Sequence, residues 1–159
     1  ASQLRSRSVA TGATRRPCEW QDEEMNESVR QLFDAACVAR KHSYSPYSSY
    51  KVGAAIRTVT GDVFAACNVE NVAYPEGVCA EGGAISMMVA GSDGVPVIAD
   101  VVTVTTGDTP GTPCGGCRQK IREFSDASTM IHATTVAGAV RTVTVEELLP
   151  DSFGPDRLL

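Results

Sequence analysis

Three cysteines and one glutamate have the types and spacing to do chemistry. Cys79-Ala80-Glu81 opens one stretch of helical character, and Cys114-Gly115-Gly116-Cys117 opens another. Taken alone, a Cys-x-x-Cys fits a redox dithiol, half of a zinc ribbon, or chance. Paired with a third cysteine ahead of a separate helix, the pattern becomes far more specific for metal. A zinc ion with three protein ligands keeps a fourth position for water, which separates a catalytic site from a closed structural one. Helix N-termini carry partial positive charge, and thiols placed there lose their protons more readily. Glu81 follows Cys79 by two residues, so chain connectivity holds it near such a metal without making it a ligand. A carboxylate in that position can take a proton from water and hand it to a substrate. A Glu in the first turn of a helix otherwise serves the helix dipole, and the neighbouring thiols favour the catalytic role.

The elements that must position these residues follow from periodicity. From Asp22 to Lys41, Val29, Leu32, Phe33, Ala36 and Cys37 recur at helical spacing. Ser43 to Ser49, with Pro46, breaks that helix, and Val52–Thr58 with Val63–Asn68 predicts a hairpin turning near Gly61-Asp62. A helix over Cys79–Ala90, with Ala84, Ile85, Met88 and Val89 inward, precedes a buried strand over Ala99–Thr105. The loop with Pro110 and Gly111 leads into a helix over Cys114–Phe124, then strands near Thr129–Ala133 and Ala139–Val143. Thr144 and Glu147 form a capping-box pattern for a short helix ending at Leu149. This interleaving predicts an α/β fold, a three-layer α/β/α sandwich around a mixed sheet of about five strands.

Composition narrows the class of function. At 159 residues and 43% hydrophobic, the chain is sized for one domain, expected over residues 22–159. A net charge of -5 argues against a phosphate-tracking surface, so nucleic acid is not an expected partner. No apolar run reaches the ~18 residues a membrane helix needs, and a cytoplasmic protein with reduced thiols is expected. Residues 1–21 hold Arg5, Arg7, Arg15 and Arg16 among Ser and Thr. They have some character of a transit peptide but are expected to form a poorly ordered basic extension. Cys18, Cys37 and Cys67 are expected to be inert, and His42 and His132 to be surface or core histidines rather than ligands.

Cys79-Ala80-Glu81 with Pro113-Cys114-Gly115-Gly116-Cys117-Arg118-Gln119 resembles the small, homotetrameric, three-cysteine class of cytidine deaminases. Ser45-Pro46-Tyr47-Ser48, Val52-Gly53-Ala54-Ala55, Asn68-Val69-Glu70-Asn71, Tyr74-Pro75 and Ser152-Phe153-Gly154-Pro155 extend the likeness in the same order, from Val29 to the C-terminus. The resemblance implies Zn2+ held by Cys79, Cys114 and Cys117, with Glu81 as the proton carrier. It implies substrate contacts from Asn68 and Glu70 to the sugar, from Tyr50 and the Ala80 backbone to the base, and from Phe153 across a subunit boundary. The implied activity is hydrolytic deamination of cytidine and 2'-deoxycytidine, a step of pyrimidine salvage, by a homotetramer with shared sites and a small nucleoside as its ligand. Deamination of a modified cytosine nucleoside such as blasticidin S, or a zinc-stabilised module without turnover, are the alternatives. One departure is clear: the family usually reads Cys-Ala-Glu-Arg, its Arg bonding to the thiolates, where this chain has Gly82-Gly83. A zinc-bound water is then expected to have a higher pKa than in an Arg-bearing relative, unless Arg118 and the two helix N-termini supply the missing positive charge; the alternative is that Gly82 and Gly83 only allow a close backbone approach.

Overall fold

The computed structural model describes residues 26–158. The expected extension over 1–21, Cys18 and the start of the first helix at Asp22 lie outside the described residues. Helix α1 spans Glu27–Lys41, begun by the Asn26 side chain accepting from the Ser28 N–H and ended with Arg40 and Lys41 in its last turn, where cations suit the helix dipole. Strands β1 (Gly53–Thr58) and β2 (Val63–Cys67) form the expected hairpin, with Gly61 at φ +94° in its turn.

Helix α2 spans Ala80–Gly91 and strand β3 Ile98–Thr105. Helix α3 spans Gly115–Glu123, followed by β4 (Met130–Thr135), β5 (Val140–Thr144) and α4 (Val145–Leu148). At the start of α4 the Thr144 hydroxyl accepts from the Glu147 N–H while the Glu147 carboxylate accepts from the Thr144 N–H, the reciprocal cap expected there. Two 3-10 turns, Tyr74–Glu76 and Pro155–Arg157, were not legible in the periodicity because one such turn shows no repeat.

The sheet order is β2-β1-β3-β4-β5, parallel only between β3 and β4, where α3 makes the crossover. Alternation along the strands sends side chains to two cores. Ala55, Val102 and Val104 meet Val29, Leu32, Phe33 and Ala36 of α1 on one face. On the other, Ile56, Val101, Ile131 and Val143 meet Ala84, Ile85 and Met88 of α2, Ile121 of α3 and Leu148 of α4. This is the expected three-layer α/β/α sandwich with a mixed five-stranded sheet.

Gly53 fixes how closely α1 sits on the sheet: a β-carbon there would overlap the Ala36 carbonyl oxygen and lie 2.7 Å from the Arg40 β-carbon. Two expectations fail. Val89 is exposed and not inward, because α2 is apolar all round and periodicity cannot choose its buried face. Cys37 is buried as expected but is disulfide-bonded, a pairing set by proximity in space that linear spacing does not carry.

Candidate active site

The N-termini of α2 and α3 bring the three cysteines together. Cys79 is the N-cap of α2 and Cys114 the N-cap of α3, and neither side chain is spent on a capping hydrogen bond. Their sulfurs are 3.8 Å apart, and the three sulfurs of Cys79, Cys114 and Cys117 lie within 4.8 Å of one another. Zinc–sulfur bonds of about 2.3 Å at tetrahedral angles place sulfurs about 3.8 Å apart, the separation of Cys79 and Cys114, and the third thiol is close enough to complete a three-sulfur donor set. Cys79 and Cys114 are exposed while Cys117 is buried, so the site has one closed and one open side.

The thiols are already electrostatically uneven. The Cys117 thiol donates to Cys79, whose pKa falls from 9.0 to about 6, against burial and the Glu81 charge. The same hydrogen bond, together with burial, drives the Cys117 pKa upward. Glu81 sits in the first turn of α2, 5% exposed, and burial raises its pKa above the usual carboxylate range. A buried carboxyl beside the sulfurs can both hold and release a proton.

A cavity of about 340 Å³ opens over this cluster, large enough for a small heterocycle with its sugar. Cys79, Ala80, Glu81 and Cys114 form one wall, and Tyr50, Asn68 and Glu70 line it from the loops flanking the hairpin. Thr103 and Thr105, at the C-terminal end of β3, and Gly111 and Thr112 from the loop that follows also line it. The sequence offered no signal for these last four beyond a Thr-rich strand leading into the Cys-x-x-Cys loop. Phe153 does not line the cavity of its own chain; it is 61% exposed, and its carbonyl accepts from the Gln119 side chain.

Asn68 and Glu70 are held in place by their own chain. The Asn68 Oδ1 accepts from the Ser43 hydroxyl at 2.5 Å and the Val52 N–H at 2.8 Å, and its Nδ2 donates to the Tyr50 carbonyl at 2.9 Å. One amide hydrogen of Asn68 is left over. The Glu70 carboxylate accepts from the N–H groups of Tyr47 and Ser48 and from the Ser48 hydroxyl, the last contact being the chief reason its pKa is lowered. Together they present a fixed donor beside a fixed anionic acceptor.

Among the other residues of interest, His42 is exposed at the end of α1. His132 is buried on the α1 side of the sheet, bonded through Nδ1 to the Thr142 hydroxyl at 3.0 Å and remote from the sulfurs in the fold. Arg118 donates to the Pro113 and Leu148 carbonyls and the Thr112 hydroxyl, tying the loop before α3 to α4. Cys67 is a free thiol.

Comparisons with known proteins agree with this site. Residues 26–134 match the family described as the cytidine and deoxycytidylate deaminase zinc-binding region. A cytidine deaminase of Sporosarcina psychrophila is 38% identical over 130 residues, which are 82% of this chain and 94% of that protein. The cytidine deaminase of Mycobacterium tuberculosis is 35% identical over 77% of this chain and 87% of its own length. The crystal structure of a Burkholderia pseudomallei cytidine deaminase superposes with a TM-score of 0.73 at 39% identity, covering 81% of this chain and all of that one. On the match over residues 26–134 and these relatives, the chain belongs to the cytidine and deoxycytidylate deaminase family.

Proposed function

We propose that this protein catalyses the hydrolytic deamination of cytidine and 2'-deoxycytidine to uridine and 2'-deoxyuridine, releasing ammonia. The observation that carries this is the buried Glu81 two residues from Cys79, beside a cluster of three cysteine sulfurs that can hold a metal ion. Cys79, Cys114 and Cys117 hold the ion, which when bound supplies a Lewis acid that activates water for attack on the pyrimidine.

The remaining work falls to the chain's own residues. Glu81 takes a proton from the attacking water, delivers it to the ring nitrogen beside the reacting carbon, and later protonates the departing amine. The C–N bond to the amine breaks as a C=O forms, so one water is consumed and one ammonia released. The wall formed by Ala80 turns backbone groups toward the base edge, and Tyr50 gives its ring an apolar face to lie against. The leftover amide hydrogen of Asn68 and the Glu70 carboxylate suit a sugar hydroxyl, which needs one donor and one acceptor.

The exposed Phe153 suits a role in the pocket of a neighbouring copy, as expected of a homotetramer with shared sites; sedimentation of a fully active monomer would overturn that part. No helix among the described residues is long and apolar enough to cross a membrane, and the proposed site of action is the cytoplasm. Ammonia release from cytidine, lost on chelation and restored by zinc, tests the whole reading. A zinc-loaded protein that releases none would refute it.

A further inference from the structure

Gly82 lies directly after Glu81, is buried, and has the end of another side chain lying against it at van der Waals distance. A β-carbon at this position would sit 3.4 Å from the Lys120 Nζ and 3.8 Å from its Cδ. Lys120 is on α3, three residues beyond Cys117 and therefore on the same side of that helix. The ammonium thus stands where the first turn of α2 faces α3, beside the two helix ends that carry the sulfurs. Among the described residues it makes no ion pair or hydrogen bond. Its neighbours on α3 are otherwise engaged: Arg118 with backbone carbonyls, and Arg122 with Ser152, Ser125 and Asp156.

We propose that Lys120 is the charge-balancing residue of the metal centre, its ammonium lying against Gly82 at the first turn of α2 and reaching the thiolate cluster from α3. Three thiolates around Zn2+ leave a formal charge of about minus one. An ammonium beside such a centre stabilises the sulfur lone pairs and draws electron density from the metal. The helix N-termini act in the same direction but as partial charges. Gly82 and Lys120 form a contact between α2 and α3 that brings the cation of one helix to the first turn of the other.

This inference rests on the proposed assignment of Cys79, Cys114 and Cys117 as metal ligands, and the test separates the two. The protein is loaded with cobalt(II) in place of zinc, and its thiolate-to-metal charge-transfer absorption is recorded for the parent, Lys120→Met, Lys120→Arg and the double variant Lys120→Met with Gly82→Arg. The thiolate band is expected in all four. Without the ammonium the sulfur electrons are less tightly held, so the band moves to lower energy in Lys120→Met. It returns toward the parent position in Lys120→Arg, and in the double variant, where the cation arrives from α2.

Zinc loss to a competing chelator, measured on the zinc-loaded proteins, follows the same order. It is expected to be on the order of tenfold faster in Lys120→Met. Because Lys120 is exposed, raising the salt should narrow the difference. A thiolate band whose position ignores Lys120, or a shift in Lys120→Met that neither arginine variant reverses, overturns the charge-balancing role while leaving the ligand assignment intact. A parent with no thiolate band at all would remove both.

Discussion

The Cys79 and Cys114 sulfurs stand 3.8 Å apart across 35 residues of chain, each at the N-cap of its own helix. Two separate elements therefore converge to make one donor set, and either alone would be a weak ligand. Metal analysis of the purified protein is expected to give about one zinc per chain. Cys114→Ala removes one of three ligands and should lose most of that metal. The fold should largely persist, since Cys114 is exposed and belongs to neither core. Full retention of zinc in the variant would take Cys114 out of the site.

Glu81 is close to the sulfurs but is proposed to move protons and not to coordinate. Glu81→Gln keeps the shape and removes the ability to exchange a proton. It should bind zinc like the parent while turnover falls roughly a hundred- to ten-thousand-fold. Loss of zinc alongside the loss of rate would make Glu81 a ligand instead, and near-parental turnover would place the proton transfer on another group.

The sequence carried the metal cluster and Glu81 because their spacing is local: Cys79 to Glu81, and Cys114 to Cys117, are each set within one turn at the start of a helix. It carried the strands for a similar reason, since Val and Thr alternate where β3 is buried. Other features depend on what meets what in space. Val89 points outward on a helix that is apolar on every side, and Cys37 is disulfide-bonded. Arg118 is a third case, its guanidinium fork meeting three oxygen acceptors around the loop before α3. Lys120 drew no attention because one lysine on a charged helix shows no pattern; its position over Gly82 is visible only once α2 and α3 are packed together.

The proposed sugar contacts call for two variants that are not equivalent. Asn68→Ala would strand the Ser43 hydroxyl, the Val52 N–H and the Tyr50 carbonyl, costing about 1–3 kcal/mol of stability as well as any binding. Glu70 is the cleaner probe, because its partners on Tyr47 and Ser48 can turn to water at the exposed rim. Glu70→Ala should lower kcat/KM for cytidine at least about tenfold and leave free cytosine nearly unaffected. Equal losses on nucleoside and free base would show that Glu70 shapes the loop and does not read the sugar.

Away from the catalytic cavity, the Asp100 carboxylate is shared between a cation and a neutral ring. Its Oδ2 accepts from Arg57 at 2.6 Å, and its Oδ1 is 3.8 Å from the Nε2 of His132, a nitrogen with no hydrogen-bond partner. Burial lowers the His132 pKa below its ordinary 6.5, outweighing the pull of Asp100, and Arg57 adds to the lowering. The folded protein therefore keeps this ring neutral at a pH where the unfolded chain has begun to protonate it. Above about pH 6.5 neither state takes the proton and the full stability is present; as pH falls below that value the unfolded state binds more protons and stability declines, until the folded ring protonates too. Thermal midpoints measured from about pH 7.5 down to about pH 5.5 should fall for the parent and fall less for His132→Gln, which keeps a hydrogen-bonding side chain but cannot titrate. Parallel slopes for the two proteins would mean that His132 takes up its proton equally well in the folded state, and that the acid sensitivity arises from other groups.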